Sequence, residues 1–134
     1  MKVAVPKEVF EGETRVALVP ALVEALTKQG HEVLVESGAG AQAWFGDDVY
    51  RQAGAAIVED PAVLYGSADV VFKINPPQMH PGLGRHEAEL LPEGAVLIGF
   101  LMPLDEPEAV GKLAARRVTT FAMEYIPRIT RAQS

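Results

Sequence analysis

The polar side chains best suited to ligand chemistry lie in the final segment, residues 126–134. They comprise two guanidinium groups, one amide and two hydroxyls, which suit phosphates, carboxylates or a carboxamide. Pro127 cannot donate a ladder hydrogen bond and biases Ile126 toward extended backbone, so we expect the chain to leave its sheet here. A solvated C-terminal tail is the alternative interpretation. The candidate residues are Arg128, Thr130, Arg131, Gln133 and Ser134.

Other polar residues follow apolar stretches that are typical of β-strands. In open α/β sheets, ligands bind beyond the carboxyl ends of the strands. We therefore expect these segments and the final segment to meet at one edge of a sheet. The segments are 6–8, the turn at Gly38, 73–75 and 100–103.

Two basic residues have alternative interpretations. Lys73 interrupts an otherwise apolar strand, so its ammonium group is either partly buried and paired or extended to the sheet edge. Arg15 precedes a short apolar stretch and either points into the same crevice or forms a surface salt bridge. The partners available for that bridge are Glu8, Glu11 and Glu13.

A glycine motif follows the second predicted strand. Gly38, Gly40 and Ala43 match the spacing of a dinucleotide-binding fingerprint. The fingerprint belongs between the first strand of a nucleotide-binding fold and its helix, however, and residues 44–46 interrupt the helix that phosphates would need. The sequence therefore favours a tight glycine turn over a phosphate cradle.

The segments that position these residues alternate between strand and helix patterns. None of the predicted strands is joined to the next by a tight hairpin turn, so the pattern predicts an α/β fold with a doubly wound, mostly parallel sheet and flanking helices. The fold is expected to be flavodoxin-like or Rossmann-like but to lack the nucleotide fingerprint. Predicted strands cover 2–5, 31–36, 55–58, 69–74, 95–99 and 118–122. Predicted helices cover 20–30, 47–53, a turn from 60, 87–91 and 106–117.

Composition limits the classes of function. The length of 134 residues predicts a single domain, and the formal charge of −6 argues against a nucleic-acid or acidic-membrane surface. The chain has no cysteine, and the spacing of its three histidines does not resemble a metal site, so we expect no metal. No segment resembles a signal peptide or a membrane span, which favours a cytoplasmic location without membrane insertion.

Several of these segments also resemble one protein family. Residues 6–8, 13–20, 35–40 and 73–77 are similar to the N-terminal signature of alanine dehydrogenases and of the alpha subunit of proton-translocating NAD(P) transhydrogenase. The resemblance covers essentially the whole chain. It implies that the chain is the N-terminal part of a longer, two-domain NAD(H)-binding subunit.

Two features choose between the branches of this family. Alanine dehydrogenases carry a catalytic histidine after the fifth strand, where this chain has Met102, which cannot act as a general acid or base. Residues 126–134 resemble the signature loop of the transhydrogenase alpha subunit. That resemblance implies that Arg128 and Gln133 approach the nicotinamide end of bound NAD(H) as catalytic and cofactor-binding residues, with Ser134 beside them in the cofactor site.

The resemblance implies hydride transfer between NAD(H) and NADP(H), with NADP(H) held on a partner subunit. Proton translocation would be performed by membrane-embedded partner subunits, which would keep this homodimeric component peripheral to the inner membrane. One alternative is an amino-acid oxidoreductase of the alanine dehydrogenase type, in which Arg15 and Lys73 hold the carboxylate and carbonyl of the substrate. A second alternative is a non-catalytic dimerisation or docking domain when the chain is isolated.

Overall fold

A six-stranded parallel sheet forms the centre of the molecule. The computed structural model describes residues 1–100 and 107–123. Strands in this part of the chain are β1 Lys2–Val5, β2 Glu32–Glu36, β3 Ala56–Val58, β4 Val70–Phe72, β5 Met79–His80, β6 Arg85–His86, β7 Val96–Gly99 and β8 Thr119–Ala122. The large sheet has the order β3-β2-β1-β4-β7-β8, and its neighbouring strands are parallel. This arrangement confirms the predicted doubly wound sheet, whose direction of winding reverses between β1 and β4.

Four helices and two 3-10 turns connect the strands in the described residues. They are α1 Pro20–Lys28, α2 Asp47–Gln52, α3 Pro61–Gly66 and α4 Pro107–Ala115, with 3-10 turns at Ala41–Ala43 and Glu87–Leu90. Proline begins α1 and α3, where its missing N–H costs no helical hydrogen bond. The side chain of Asp60 caps α3 by accepting from the Ala62 N–H at 2.9 Å.

Helices cover the two faces of the sheet in separate groups. On one face, alternate residues of β1 and β2 pack against Val23 of α1 and Tyr50 of α2. On the other face, the intervening strand residues pack against Leu64 of α3 and Leu113 of α4. The period-2 alternation of strand side chains therefore supplies two cores. The loops after β1 and β4 meet where the two groups of helices separate.

One part of the sheet carries exposed apolar side chains. Ile98 of β7 is paired in register with Phe121 of β8. Phe121 is 54% exposed and Met123 is 41% exposed. Met123 and Ile98 line the same apolar depression as Phe72.

The segment between β4 and β7 contains strands where the sequence pattern predicts none. It contains a small antiparallel hairpin of β5 and β6. His80 stabilises the turn, because its Nδ1 atom accepts from the N–H groups of Gly82 and Leu83 at 3.1 and 3.2 Å. The hairpin therefore depends on side chain–backbone hydrogen bonds that strand patterns do not reveal. The predicted helix at 87–91 is a 3-10 turn, Glu87–Leu90.

Candidate functional site

A buried lysine lies at the carboxyl end of β4. The side chain of Lys73 is only 2% exposed. Its Nζ atom donates to Glu8 Oε1 at 3.1 Å and to Glu87 Oε2 at 3.4 Å, and both carboxylates are equally buried. The paired interpretation of Lys73 is therefore confirmed. Two carboxylates surround one ammonium group. The buried cluster of Lys73, Glu8 and Glu87 therefore has a net charge of −1 when all three groups are ionised.

Further donors satisfy Glu87. The hydroxyl of Tyr65 donates to Glu87 Oε2 at 3.0 Å, and the N–H of Gln78 donates to Glu87 Oε1 at 3.0 Å. Burial, together with the nearby Glu87 carboxylate, raises the pKa of Tyr65 well above its ordinary value. Tyr65 therefore remains a neutral donor. The result is a carboxylate with a donor on each oxygen, which is the arrangement that a buried charge requires.

Asn75 connects this buried cluster to the surface. Its side-chain amide donates to Glu13 Oε1 at 2.9 Å and lies 3.4 Å from Glu8 Oε1. Glu13 in turn forms two hydrogen bonds with the guanidinium of Arg15, at 2.8 and 2.9 Å. Hydrogen bonding from Arg15 is the main cause that lowers the pKa of Glu13 to about 2. A continuous polar chain thus runs from the exposed Arg15 to the buried Lys73.

Beside this polar chain lies a small open cleft at the carboxyl ends of β1 and β2. Its lining combines two cationic and two carboxylate side chains with hydroxyl and amide groups, so the formal charges of the lining cancel. Arg15 borders this cleft, but its side chain is 65% exposed and paired with Glu13, so the surface salt bridge is the confirmed alternative. The polar lining residues are Lys7, Glu8, Glu13, Thr14, Arg15 and Gln42.

A carboxylate also closes the glycine turn after β2. The N–H of Gly38 donates to Asp47 Oδ1 at 2.9 Å, and the hydroxyl of Ser37 donates to Asp47 Oδ2 at 2.7 Å. Asp47 and Asp48 at the start of the predicted helix 47–53 favour capping by an aspartate, but Gly46 occupies the cap position and Asp47 secures the turn instead. Because Asp47 occupies the amide that a phosphate would need, the contacts agree with a tight turn.

Space in this turn is limited as well. A Cβ atom on Gly40 would lie 2.6 Å from Tyr50 Cε2 and 2.8 Å from the carbonyl oxygen of Phe45, so glycine is required here. Trp44, with φ of 68°, ends the short 3-10 turn in the left-handed region. The backbone therefore does not continue into the long helix that a dinucleotide fingerprint precedes.

Glu36, at the end of β2, is buried beside the cleft. Its Oε1 atom accepts from the N–H of Lys7 at 3.0 Å. Burial raises the pKa of Glu36, and the hydrogen bond and charge of Lys7 only partly oppose that effect. The folded protein therefore binds a proton at Glu36 more tightly than the unfolded chain does.

A Glu36→Gln substitution should change the pH dependence of stability. The stabilisation from a raised carboxyl pKa is complete below the unfolded value of 4.5 and is lost as pH rises through the folded value. Glutamine can still accept from Lys7 and stays neutral. We expect thermal unfolding to show E36Q above the wild type at about pH 8 and level with it near pH 4. Glu32→Gln, at the exposed start of the same strand, is the control. A pH-independent difference would contradict this assignment.

The sequence-predicted cofactor residues Arg128, Gln133 and Ser134 lie outside the described residues, as does Met102. The structure brings the segments after β1, β2 and β4 together, as predicted. Sequence reasoning missed the role of Glu87, which lies in a polar stretch with no local signal for burial. A buried lysine does require an acidic partner, and that requirement is the only signal that pointed to one.

Residues 1–100 and 107–123 offer neither a metal site nor a membrane span. In that part of the chain, no three His, Asp or Glu side chains are arranged to hold a metal ion. The helices described there are too short or too polar to cross a bilayer.

Comparison with known proteins shows similarity over the full length. A family model described as "Alanine dehydrogenase/PNT, N-terminal domain" matches residues 4–134. An NAD(P) transhydrogenase alpha-subunit chain from Rhodospirillum rubrum is 46% identical over 134 residues, which are 100% of this chain and 35% of that protein. Alanine dehydrogenase from Bacillus subtilis is 37% identical over 126 residues, which are 94% of this chain and 32% of that protein.

A solved structure is similar as well. The crystal structure of transhydrogenase from Sinorhizobium meliloti superimposes with a TM-score of 0.87 at 37% sequence identity, covering 99% of this chain and 38% of that chain. The chain spans about a quarter to a third of the length of the transhydrogenase alpha subunits that it matches.

Proposed function

This chain belongs to the alanine dehydrogenase/PNT N-terminal domain family, and from that membership we propose that it is part of the NAD(H)-binding component of an NAD(P) transhydrogenase. The complete component would exchange a hydride between NAD(H) and NADP(H). The observation that carries the proposal is similarity along the whole chain to transhydrogenase alpha subunits, at 46% identity for one of them. Met102 stands where alanine dehydrogenases carry a catalytic histidine, and methionine cannot act as a general acid or base, which also supports the transhydrogenase branch of the family.

The state of Lys73 also supports this branch over amino-acid oxidation. In that alternative, Lys73 would hold the carbonyl group of a substrate. Its ammonium group is buried and already paired with Glu8 and Glu87. Hydride exchange between two nicotinamides requires positioning rather than a general acid or base, so it makes no such demand on Lys73.

The described residues do not fit the pyrophosphate of a dinucleotide. Asp47 occupies the Gly38 amide, and Glu13 and Glu36 add negative charge beside the cleft. We therefore propose that this domain forms one wall of the cofactor site and that the remainder of a longer subunit holds the pyrophosphate. The greater length of the relatives and the exposed Phe121 support that division.

Residues 126–134 would supply the contacts to the nicotinamide end. NAD(H), when bound, supplies the hydride. Arg128 would orient the cofactor through charge-assisted hydrogen bonds, and Gln133, beside Ser134, would hold the carboxamide so that one face of the ring is presented. The proposed partners are an NADP(H)-binding subunit, a membrane-embedded proton-translocating subunit and a second copy of this component. Such an assembly would place the chain in the cytoplasm at the inner membrane.

Replacing Gln133 with alanine tests this proposal in the complete subunit, assembled with its partners. We expect single-turnover hydride transfer to slow by about 100-fold, because small misplacement of a reacting group has effects of that order. NADH affinity, measured by titration, should change far less. Gln52→Ala, on an exposed position of α2, is the matched control and should leave both quantities unchanged. An unchanged transfer rate in Q133A would contradict the role.

A further inference from the structure

The crevice between the ends of β1 and β4 is filled by a side chain of the protein itself. This is the point where the winding of the sheet reverses, and doubly wound sheets commonly take a ligand there. Glu8 follows β1, and its side chain is 3% exposed. Its carboxylate extends across to the end of β4 and lies among the donors that end that strand.

Four donors converge on this carboxylate. The N–H of Ile74 donates to Oε2 at 3.0 Å, and the N–H of Asn75 donates to Oε1 at 3.0 Å. The ammonium of Lys73 and the side-chain amide of Asn75 contact Oε1 at 3.1 and 3.4 Å. Two successive backbone N–H groups, one for each oxygen, together with a cation form the arrangement that proteins use to bind anions.

The sheet holds these donors independently of Glu8. The N–H of Lys73 donates to the carbonyl oxygen of Ile98 at 2.9 Å, which extends the β4–β7 pairing to the residue before the two amides. A Cβ atom on Gly99 would collide with the carbonyl oxygen of Lys73, so β7 packs closely against this turn of the backbone. Glu87 holds the ammonium from the other side. The site is therefore formed by β4 and its neighbours, while β1 supplies its occupant.

We propose that the end of β4 is a preformed carboxylate-binding site and that Glu8 is its built-in ligand, which closes the crevice to external anions. The class of ligand is a small monocarboxylate, because two oxygens on one carbon match the two backbone N–H groups. Shortening Glu8 to alanine removes a CH₂–COO⁻ group, which has the size and charge of acetate. Acetate then takes the vacated position.

The test is chemical rescue of Glu8→Ala. Thermal unfolding of the E8A chain is measured against sodium acetate, with sodium chloride at equal ionic strength as the reference. We expect E8A to have a lowered Tm that rises saturably with millimolar acetate. A millimolar dissociation constant is within the affinity that a ligand as small as acetate can reach. Acetamide, which is neutral and of the same shape, should not raise the Tm. Equal effects of acetate and chloride on E8A would overturn the proposal.

Two variants and the wild type serve as controls. Wild-type protein and Glu8→Gln, which fills the site with an amide, should show no acetate effect beyond that of chloride. Adding Lys73→Met to E8A should abolish the acetate effect. Saturable binding of acetate to the wild type would also overturn the proposal, because the site would then not be occupied by Glu8.

A spectroscopic measurement decides the question if E8A does not fold. The amide proton resonances of Ile74 and Asn75 are compared between the wild type and E8Q. Hydrogen bonds to a carboxylate should place both resonances downfield in the wild type, and at least one should move upfield in E8Q, since the amide has only one oxygen acceptor. Unchanged resonances would show that Glu8 is not the ligand.

Discussion

Replacing Lys73 with methionine is expected to reduce the free energy of unfolding by about 3–5 kcal/mol. Methionine approximately preserves the volume of the lysine stem but removes the ammonium group. Glu8 and Glu87 would then lie in a buried site without a cation, because both side chains are no more than 3% exposed and water cannot compensate their charges. Most of the loss comes from these uncompensated carboxylates and not from the pair itself, because desolvation consumes much of the energy of a buried ion pair.

Lys112→Met provides the matched control for Lys73→Met. Lys112 pairs with Glu89 at 2.7 Å, but the two side chains are 32% and 40% exposed. Exposed pairs contribute about 0–1 kcal/mol, so this variant should be nearly as stable as the wild type. Both variants are measured by denaturant unfolding. The role of Lys73 would be refuted by a K73M stability within about 1 kcal/mol of the wild type. Adding Glu8→Gln and Glu87→Gln to K73M should recover part of the loss.

The architecture is largely predictable from the sequence because each element has a local signal. The strands of the large sheet are short apolar stretches, and proline is the first residue of three described helices. Without hairpin signals between those strands, crossover connections and a parallel sheet follow. These signals arise from residues that are close together in the sequence. They therefore predict helices and strands more reliably than they predict the contacts between them.

The polar contacts are less predictable because they join residues that are distant in sequence. Lys73 and Glu8 are separated by 65 positions, and the place of Glu8 after a strand does not indicate that it pairs with Lys73. Asp47 illustrates the same limit, since an aspartate at the start of a helix favours capping. Its carboxylate instead binds Gly38, nine residues earlier. The meeting of the segments after β1, β2 and β4 is therefore predictable from the sequence, whereas the pairing of their side chains requires the fold.

Tyr50 connects the parts of the chain that border the cleft. Its side chain is fully buried, and its hydroxyl donates to the carbonyl oxygen of Leu18 at 2.8 Å. Its ring contacts Phe45 edge to face, with centroids 6.4 Å apart, and leaves no space for a side chain at Gly40. Burial raises the pKa of Tyr50 to about 12, so the hydroxyl remains a donor at physiological pH. One side chain thus joins α2 to the loop that precedes α1 and to the turn after β2.

Replacing Tyr50 with alanine should therefore cost about 3–5 kcal/mol of stability, the range for removal of a large aromatic side chain from a core. Tyr50→Phe separates the two contributions, because it keeps the ring but leaves the Leu18 carbonyl oxygen unpaired, at a cost of about 1–3 kcal/mol. Denaturant unfolding measures both variants, and hydrogen exchange should show faster opening of the turn after β2 in Y50A. If Y50A and Y50F lost equal stability, the hydroxyl alone would account for the effect and the packing argument would fail.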